Sequence, residues 1–517
     1  MKFANYKFLI FPLLLVTACQ DFEEIEKNPN QATIVPSSLL LTGVLNDIFE
    51  EPWSLEHRWN QFWCCNFNYY GTNEYSWTNA SLKYSTLKNI IKMNEEAIRS
   101  GEEELNAYSA IGKFLTAYVY VKMTLQVGDL PLSEGLQGLE NIAPKYDTQK
   151  DIYLQVLAWL EEANSEMTKL IEENKFTFAG DLYLDNDLRR WQKAVNAFHL
   201  RVLVSLSNKE DDADLSIQSR FEDILADPDK YPLFESNDDN VQAFYNGTTS
   251  LYPINPGNRG FDKGRYNMAE TYVDALTGLS DPRVFVTCNP AKAMLDGGAS
   301  FDDFAAYVGA NSGESLDDMT FKAGNGEYSF ANQYRYYTTY TGPEPALLMG
   351  YSEQCFNIAE GINRGWSAGA AEYFYNEGIL ASMQFYGISD GSSITVRDQE
   401  DEVLGAVSVS LTDYMSQPEV DYAGDDATGL NQILTQKYIA FFQNSGLEAF
   451  YNQRRTGVPA FLTGVGTGNG NPTPKIPLRW LYPSAEETTN KENLEDALKR
   501  QFGSIVDDKN MPLWIFE

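Results

Sequence analysis

Residues 433–459, ILTQKYIAFFQNSGLEAFYNQRRTGVP, decide how the chain is read. From Asn431 to Arg455 the pattern is that of a helix pair, and Gly457 followed by Pro459 closes it, because glycine supplies the left-handed residue that ends a helix and proline cannot continue one. The same periodicity recurs upstream, over Ala346–Arg364 and Ala370–Tyr386. In Ala107–Val127, Ile111, Phe114, Leu115, Tyr118 and Leu125 fall on one face. In Gln149–Ile171, Ile152, Val156, Leu160, Ala163, Met167 and Leu170 do so, with Thr148 and Asp151 as a capping box. Trp191–Leu206 adds a third through Ala194, Val195, Phe198, Val202 and Leu206. Helix pairs at intervals predict a mostly α fold with tetratricopeptide-like packing, but there is no clean self-similarity at about 34 residues. Degenerate repeats embedded in one larger domain fit better than a free solenoid.

Two stretches interrupt the helices. Residues 211–345 are rich in Gly, Asn, Pro, Asp and Tyr and hold only short helical pieces such as Met268–Leu276; residues 388–430 are similar. Irregular segments of this length inside a folded protein usually serve function. The expected organisation is a helical scaffold over 36–207 and 346–456 carrying a loop-rich binding region over 211–345 and 388–430. All of it lies in a single domain, 31–517. The tail beyond Thr456 reads as loop with one short helix, Lys491–Gln501.

The 517 residues carry 39 Lys plus Arg against 73 Asp plus Glu, a formal charge of −34. A general nucleic-acid binder needs a basic surface, so that class is excluded. Aromatics make up 13% of the chain, too many for a disordered acidic polymer. The first residues read as a secretory signal: Lys2 and Lys7 precede the apolar run Phe8–Val16, which is half the length of a membrane span. The run ends in Leu15-Val16-Thr17-Ala18-Cys19, which resembles a bacterial lipobox. Cleavage would remove residues 1–18 and leave Cys19 as an acylated N-terminus, holding a folded body at a bilayer surface. Residues 19–30 follow as an acidic tether, resembling the surface-export signal of Bacteroidetes lipoproteins. Cys64, Cys65, Cys288 and Cys355 remain as four buried thiols or one long-range bridge.

The opening stretch also carries a resemblance. Gln436-Lys437-Tyr438, Glu448-Ala449-Phe450 and Arg454–Pro459 resemble the most recognisable segment of SusD/RagB-like outer-membrane lipoproteins. Further segments follow in that family's order: Tyr351–Trp366, Ala371–Ile388, Ile476–Asn490 and a closing aromatic strand, Leu513–Phe516. Near the start, Lys27–Leu41 is similar to the Asn-Pro-Asn entry of the SusD-like group two branch. The resemblance implies a SusD-like α-α superhelix supporting a loop-rich ligand-binding face. It implies capture of a nutrient, most often an oligosaccharide, at the cell surface, and delivery to a SusC-like TonB-dependent barrel transporter. The same uptake role for peptides or another non-sugar nutrient is the alternative, and a glycoside hydrolase a distant one. The quoted segments are scaffold in that family and do not name the ligand.

Sugars present flat apolar faces ringed by hydroxyls, which aromatic platforms edged with polar groups recognise. Two segments have that composition, residues 59–78 and 328–340. Trp59 and Trp63 read as packed. Tyr70, Asn73, Tyr75 and Trp77 are the first ligand-binding candidates, and Arg335, Tyr336 and Tyr337 the second, although the latter tyrosines also suit a strand with alternate faces buried. No catalytic residue emerges. His57 and His199 are the only histidines, each reading as a surface or satisfied core residue, and no Gly-x-Ser-x-Gly elbow accompanies them. No cofactor is expected, although Asp421–Asp426 could hold a Ca²⁺. The mature charge, 37 − 73 = −36 once Lys2 and Lys7 are removed, disfavours highly sulfated or uronate-rich ligands unless a local site around Arg335 reverses the field.

Overall fold

In the computed structural model, residues 35–468 and 475–517 are described; Cys19, the signal and the tether lie outside them. The N-terminal half is a succession of helices, each packed on the next: α1 (Ser37–Asp47), α2 (Tyr84–Arg99), α3 (Ala107–Val127), α4 (Gln149–Glu172) and α5 (Leu188–Ser205). α5 also packs on α6 (Tyr351–Asn363), which pairs with α7 (Ala371–Phe385) and with α8 (Ala427–Ala440). α9 (Glu448–Thr456) and α10 (Lys491–Phe502) follow toward the C-terminus. The starts are set by capping. The Asn106 side chain accepts from Ser109 N at 3.1 Å while Ser109 Oγ accepts from Asn106 N at 3.0 Å, and Thr148 Oγ1 accepts from Asp151 N at 3.1 Å. Gly457, with φ of 78°, ends α9. Among the described residues no helix is long and apolar enough to cross a membrane.

The scaffold interior is charged as well as apolar. Arg201 of α5 donates to Glu353 of α6 at 2.6 Å. Arg455 of α9 donates to Glu360 of α6 at 2.9 Å, and Lys437 of α8 lies 3.9 Å from the same carboxylate. Burial would push Glu360 up, but the Arg455 guanidinium, with Lys437 and Arg364, holds it at about 2. Burial lowers Lys437 to about 8 in spite of Glu360. Gln436, Lys437, Glu448 and Arg455 from the opening stretch are therefore internal struts between helices, while Arg454 lies over Phe450 and donates to Pro477 O.

The loop-rich half has a core of its own, around Phe62, Trp63, Tyr272, Val284, Tyr336 and Phe442. Phe49, Phe374, Tyr422 and Phe461 pack against both this cluster and the scaffold's. Three antiparallel strand pairs shape it: β1 (Trp63–Cys65) with β3 (Tyr266–Met268), β2 (Val241–Ala243) with β4 (Ala346–Met349), and β5 (Ser393–Arg397) with β6 (Val403–Ser408). β4 corrects the helix expected from Ala346: an all-buried apolar run between Pro345 and Gly350 is too short for a helix, and it pairs with β2 instead. Likewise Leu513–Phe516 is not a strand. Trp514–Phe516 form a 3₁₀ turn seated on α4, with Ile515 N donating to Gln149 Oε1 at 3.1 Å. All four described cysteines are free and buried, which resolves the thiol-or-bridge alternative.

Candidate functional site

β1 and β3 end together, and the chain segments at that end form the surface of interest. Cys65 pairs with Tyr266. Beyond this pair, Asn66 ties the two segments: its backbone N donates to Arg265 O at 3.1 Å and its Nδ2 to Gly264 O at 2.9 Å. Asn73 holds the returning loop, its amide accepting from Cys65 N at 2.9 Å and donating to Cys65 O at 3.0 Å. The chain between them, residues 67–71, is thus clamped at both ends. It displays Phe67 and Tyr69, the latter 83% exposed. Tyr70 stands edge-on to Tyr69, with ring centroids 5.1 Å apart, and donates its hydroxyl to Phe261 O at 2.7 Å. Phe261 itself is 72% exposed. Arg265 lies over two rings of this group, its Cζ 4.9 Å from the Phe67 centroid and 5.8 Å from that of Tyr70. Large exposed aromatics brought together on fixed loops mark a binding surface rather than a folding requirement.

A cleft of about 390 Å³ continues the face, lined by Asn332, Tyr334, Arg335, Thr338, Thr395 and Arg397. The two parts are tied through the β5–β6 turn: Lys263 pairs with Glu400 at 2.7 Å, Arg259 with Asp401, and Gln333 Nε2 donates to Lys263 O at 3.4 Å. Arg397 lies over the Tyr334 ring at 4.1 Å.

The residues singled out from sequence divide sharply. Tyr70 is on the face, partly buried at its edge. Asn73 is buried and structural. Tyr75 and Trp77 are core, corrected from the expectation of a ligand platform: Trp77 stacks on Trp480 with centroids 3.6 Å apart, and Tyr75 donates to Trp59 O at 2.6 Å. Tyr336 and Tyr337 are corrected likewise. Residues Gln333–Tyr337 form a short helix, capped by Asn332, which turns both tyrosines inward, Tyr336 edge-on to Trp53 at 4.9 Å. Arg335 borders the cleft but is already paired, donating to Glu344 Oε1 at 2.9 Å and to Tyr386 O at 3.0 Å. Burial works against its charge, yet the adjacent Glu344 carboxylate outweighs that and raises its pKa. It does not reverse the field at the face.

His57 and His199 are buried core histidines; the His199 ring has no hydrogen-bond partner among the described residues, and the His57 ring lies against the Glu51 backbone. Burial lowers them to about 3 and about 4, which keeps both neutral. Asp426, from the acidic cluster, spends its side chain capping Thr428 N and Gly429 N. No group of three His, Cys, Asp or Glu among the described residues could hold a metal.

Sequence reasoning did not single out Phe67, Tyr69, Phe261, Arg265 or Tyr334, although Tyr69 and Tyr334 lie in the two aromatic segments it identified. A signal was present for Phe261: in NPGNRGFDKGR, residues 255–265, a single aromatic sits among glycines and charges, where packing has no use for it.

Residues 29–483 match the SusD-like group two family, described as "Starch-binding associating with outer membrane". A SusD homolog from Bacteroides fragilis is 32% identical, with a TM-score of 0.81 over 93% of this chain and 100% of that one. A second SusD homolog from the same organism is 28% identical, with a TM-score of 0.77 over 93% and 99%. A chitin-binding SusD homolog from Flavobacterium johnsoniae shares the fold at 19% identity and a TM-score of 0.67, over 93% and 98%. No curated protein matches the sequence.

Proposed function

The chain belongs to the SusD-like family of starch- and nutrient-binding proteins of the outer membrane, and we propose that it captures an oligosaccharide on the face built by residues 67–71 and 259–265. It then passes the saccharide to a SusC-like TonB-dependent barrel transporter, while Cys19, acylated, tethers it to the outer membrane facing the cell exterior. It performs no chemistry on its ligand. The observation that carries this reading is the aromatic face itself. Tyr69, Phe67 and Phe261 offer flat apolar surface, while Arg265 and the cleft's Thr338 and Thr395 supply polar edges, the combination that pyranose rings require. That a chitin-binding protein shares the fold supports a saccharide over a peptide.

Isothermal titration against a panel of oligosaccharides tests the ligand class. Tyr69→Ala together with Phe261→Ala should lower saccharide affinity by tenfold or more, about 1.4 kcal/mol or above, with no change in Tm, since neither ring is in the core. Unchanged affinity in that variant would remove the face from the binding site, and peptide binding without saccharide binding would overturn the ligand class. For the tether, Cys19→Ala should release the protein from membrane fractions.

A further inference from the structure

The aromatic face holds a guanidinium that the protein itself does not use. In a chain of charge −34, carboxylates are abundant, and most buried or half-buried arginines have taken one. Arg201 holds Glu353, Arg283 holds Asp281, Arg335 holds Glu344 and Arg455 holds Glu360. Arg265 has none. Its guanidinium makes no hydrogen bond or ion pair among the described residues; its contacts are the faces of Phe67 and Tyr70. The acids that could have reached it are engaged or set apart. Glu400 is held by Lys263 and Asp401 by Arg259, while Asp262, three residues away, forms no ion pair, and burial raises its pKa.

A second arginine lies under the same turn. Arg58 donates from Nη1 to Cys65 Sγ at 3.0 Å, lies over the Trp63 ring at 5.2 Å, and also has no carboxylate partner. It fits there because residue 71 is glycine. With φ of 119° position 71 favours glycine, and a Cβ there would fall 2.6 Å from Nη1, so the guanidinium would have to shift. Holding two cations at an aromatic turn with no carboxylate partner opposes the general negative field of the protein locally.

We propose that Arg265 is the anchor of a subsite for a saccharide bearing a carboxylate, a sugar acid of the uronic or sialic class, with Arg58 adding positive potential from below. The inference rests on the saccharide reading of this face and names the ligand's chemistry within it. A guanidinium presents a planar fork of N–H donors that matches a carboxylate two to two, and stacking on Phe67 and Tyr70 restricts it before the ligand arrives, so little rotamer freedom is lost on binding. The sugar ring carrying the acid would then lie against Tyr69 or Phe261. The site suits one carboxylate rather than a polyanion, because Lys263 and Arg259 are spent on Glu400 and Asp401 and the surrounding field stays acidic.

The test is a glycan array, followed by titration, on matched pairs that differ by one carboxylate: xylo-oligosaccharides bearing a single glucuronate with their methyl esters, and sialyl-lactose with lactose. Wild-type protein should prefer the acid of a pair by at least about tenfold at low ionic strength, and the preference should shrink with added salt. Arg265→Met should abolish the preference, lowering affinity for the acid much more than for the neutral member, while Arg265→Lys should restore part of it; an unchanged Tm in both variants excludes a folding defect. Neutral saccharides binding through Tyr69, with esters equal to acids, would overturn the carboxylate subsite and leave the saccharide reading standing. No binding to any saccharide, acidic or neutral, would overturn both.

Discussion

The scaffold and the loop-rich face use charge in opposite ways. Inside the scaffold, Glu360, Arg455, Lys437 and Arg364 form one cluster linking α6, α8 and α9, and Arg201, Glu353 and Glu448 another linking α5, α6 and α9. Each buried charge of these two clusters faces an opposite one, as an unpaired ion in a dry interior costs several kcal/mol. On the face, Arg265 and Arg58 lie against aromatic rings without a carboxylate. The aromatics divide in the same manner: Trp77 and Tyr336 are enclosed, Tyr69 and Phe261 stand in solvent. The lesson is that one composition, acidic and rich in aromatics, serves two ends, and that a residue's partners separate them where its type does not.

The largest expected effect tests how dry the scaffold side is. His199, in α5, and His57, in the short helix Leu55–Trp59, are neutral and fully buried, with pKa values lowered to about 4 and about 3 by burial. The unfolded chain takes up those protons near pH 6.5, the folded chain only well below it. Stability is therefore complete above pH 6.5 and is lost as pH falls toward 4 and then 3, by roughly 8 kcal/mol for the two together. Urea denaturation at a series of pH values measures this. In His57→Leu with His199→Leu the slope between pH 6.5 and 4 should largely vanish; a slope unchanged from wild type would mean that water or another group already serves these rings.

Next in size is Glu360→Ala. It would strand Arg455 and Lys437 in the interior, costing about 3–5 kcal/mol, whereas Glu360→Gln, which keeps an acceptor, should cost less. A denaturation midpoint for the alanine variant within error of wild type would break the distinction drawn above, because the scaffold's charges would then be as dispensable as those on the face.

How much of this division could be read in the sequence follows from the same physics. Helices α3 and α4 were legible to within a residue because their periodicity and their caps, Asn106 or Thr148, agree. β4 was not, since four apolar residues carry no period, and its pairing with β2 joins segments about a hundred residues apart. At the site, the segment 59–78 was identified but its members were sorted poorly. Tyr75 and Trp77 differ from Tyr69 only in what lies across from them: Trp59, Phe450 and Trp480 close over the first two, and Phe450 and Trp480 come from elsewhere in the chain. Arg265 was invisible for a related reason. A missing partner is a fact about three dimensions, and 73 acidic residues made its absence the last thing composition would suggest.

The smallest effect sharpens the comparison most. Tyr336 carries a buried hydroxyl with no hydrogen-bond partner among the described residues, and its ring is held by Trp53 and, in a stacked arrangement, by Tyr252 at 6.5 Å. Tyr336→Phe removes the unpaired polar group and keeps the ring. Stability should stay level or rise by up to about 1 kcal/mol, and saccharide affinity should not move. If the substitution instead weakened saccharide binding with an unchanged Tm, the ring would belong to the ligand surface after all. The interior of the loop-rich half would then open when ligand binds, and the line between enclosed and exposed aromatics would describe only the unliganded protein.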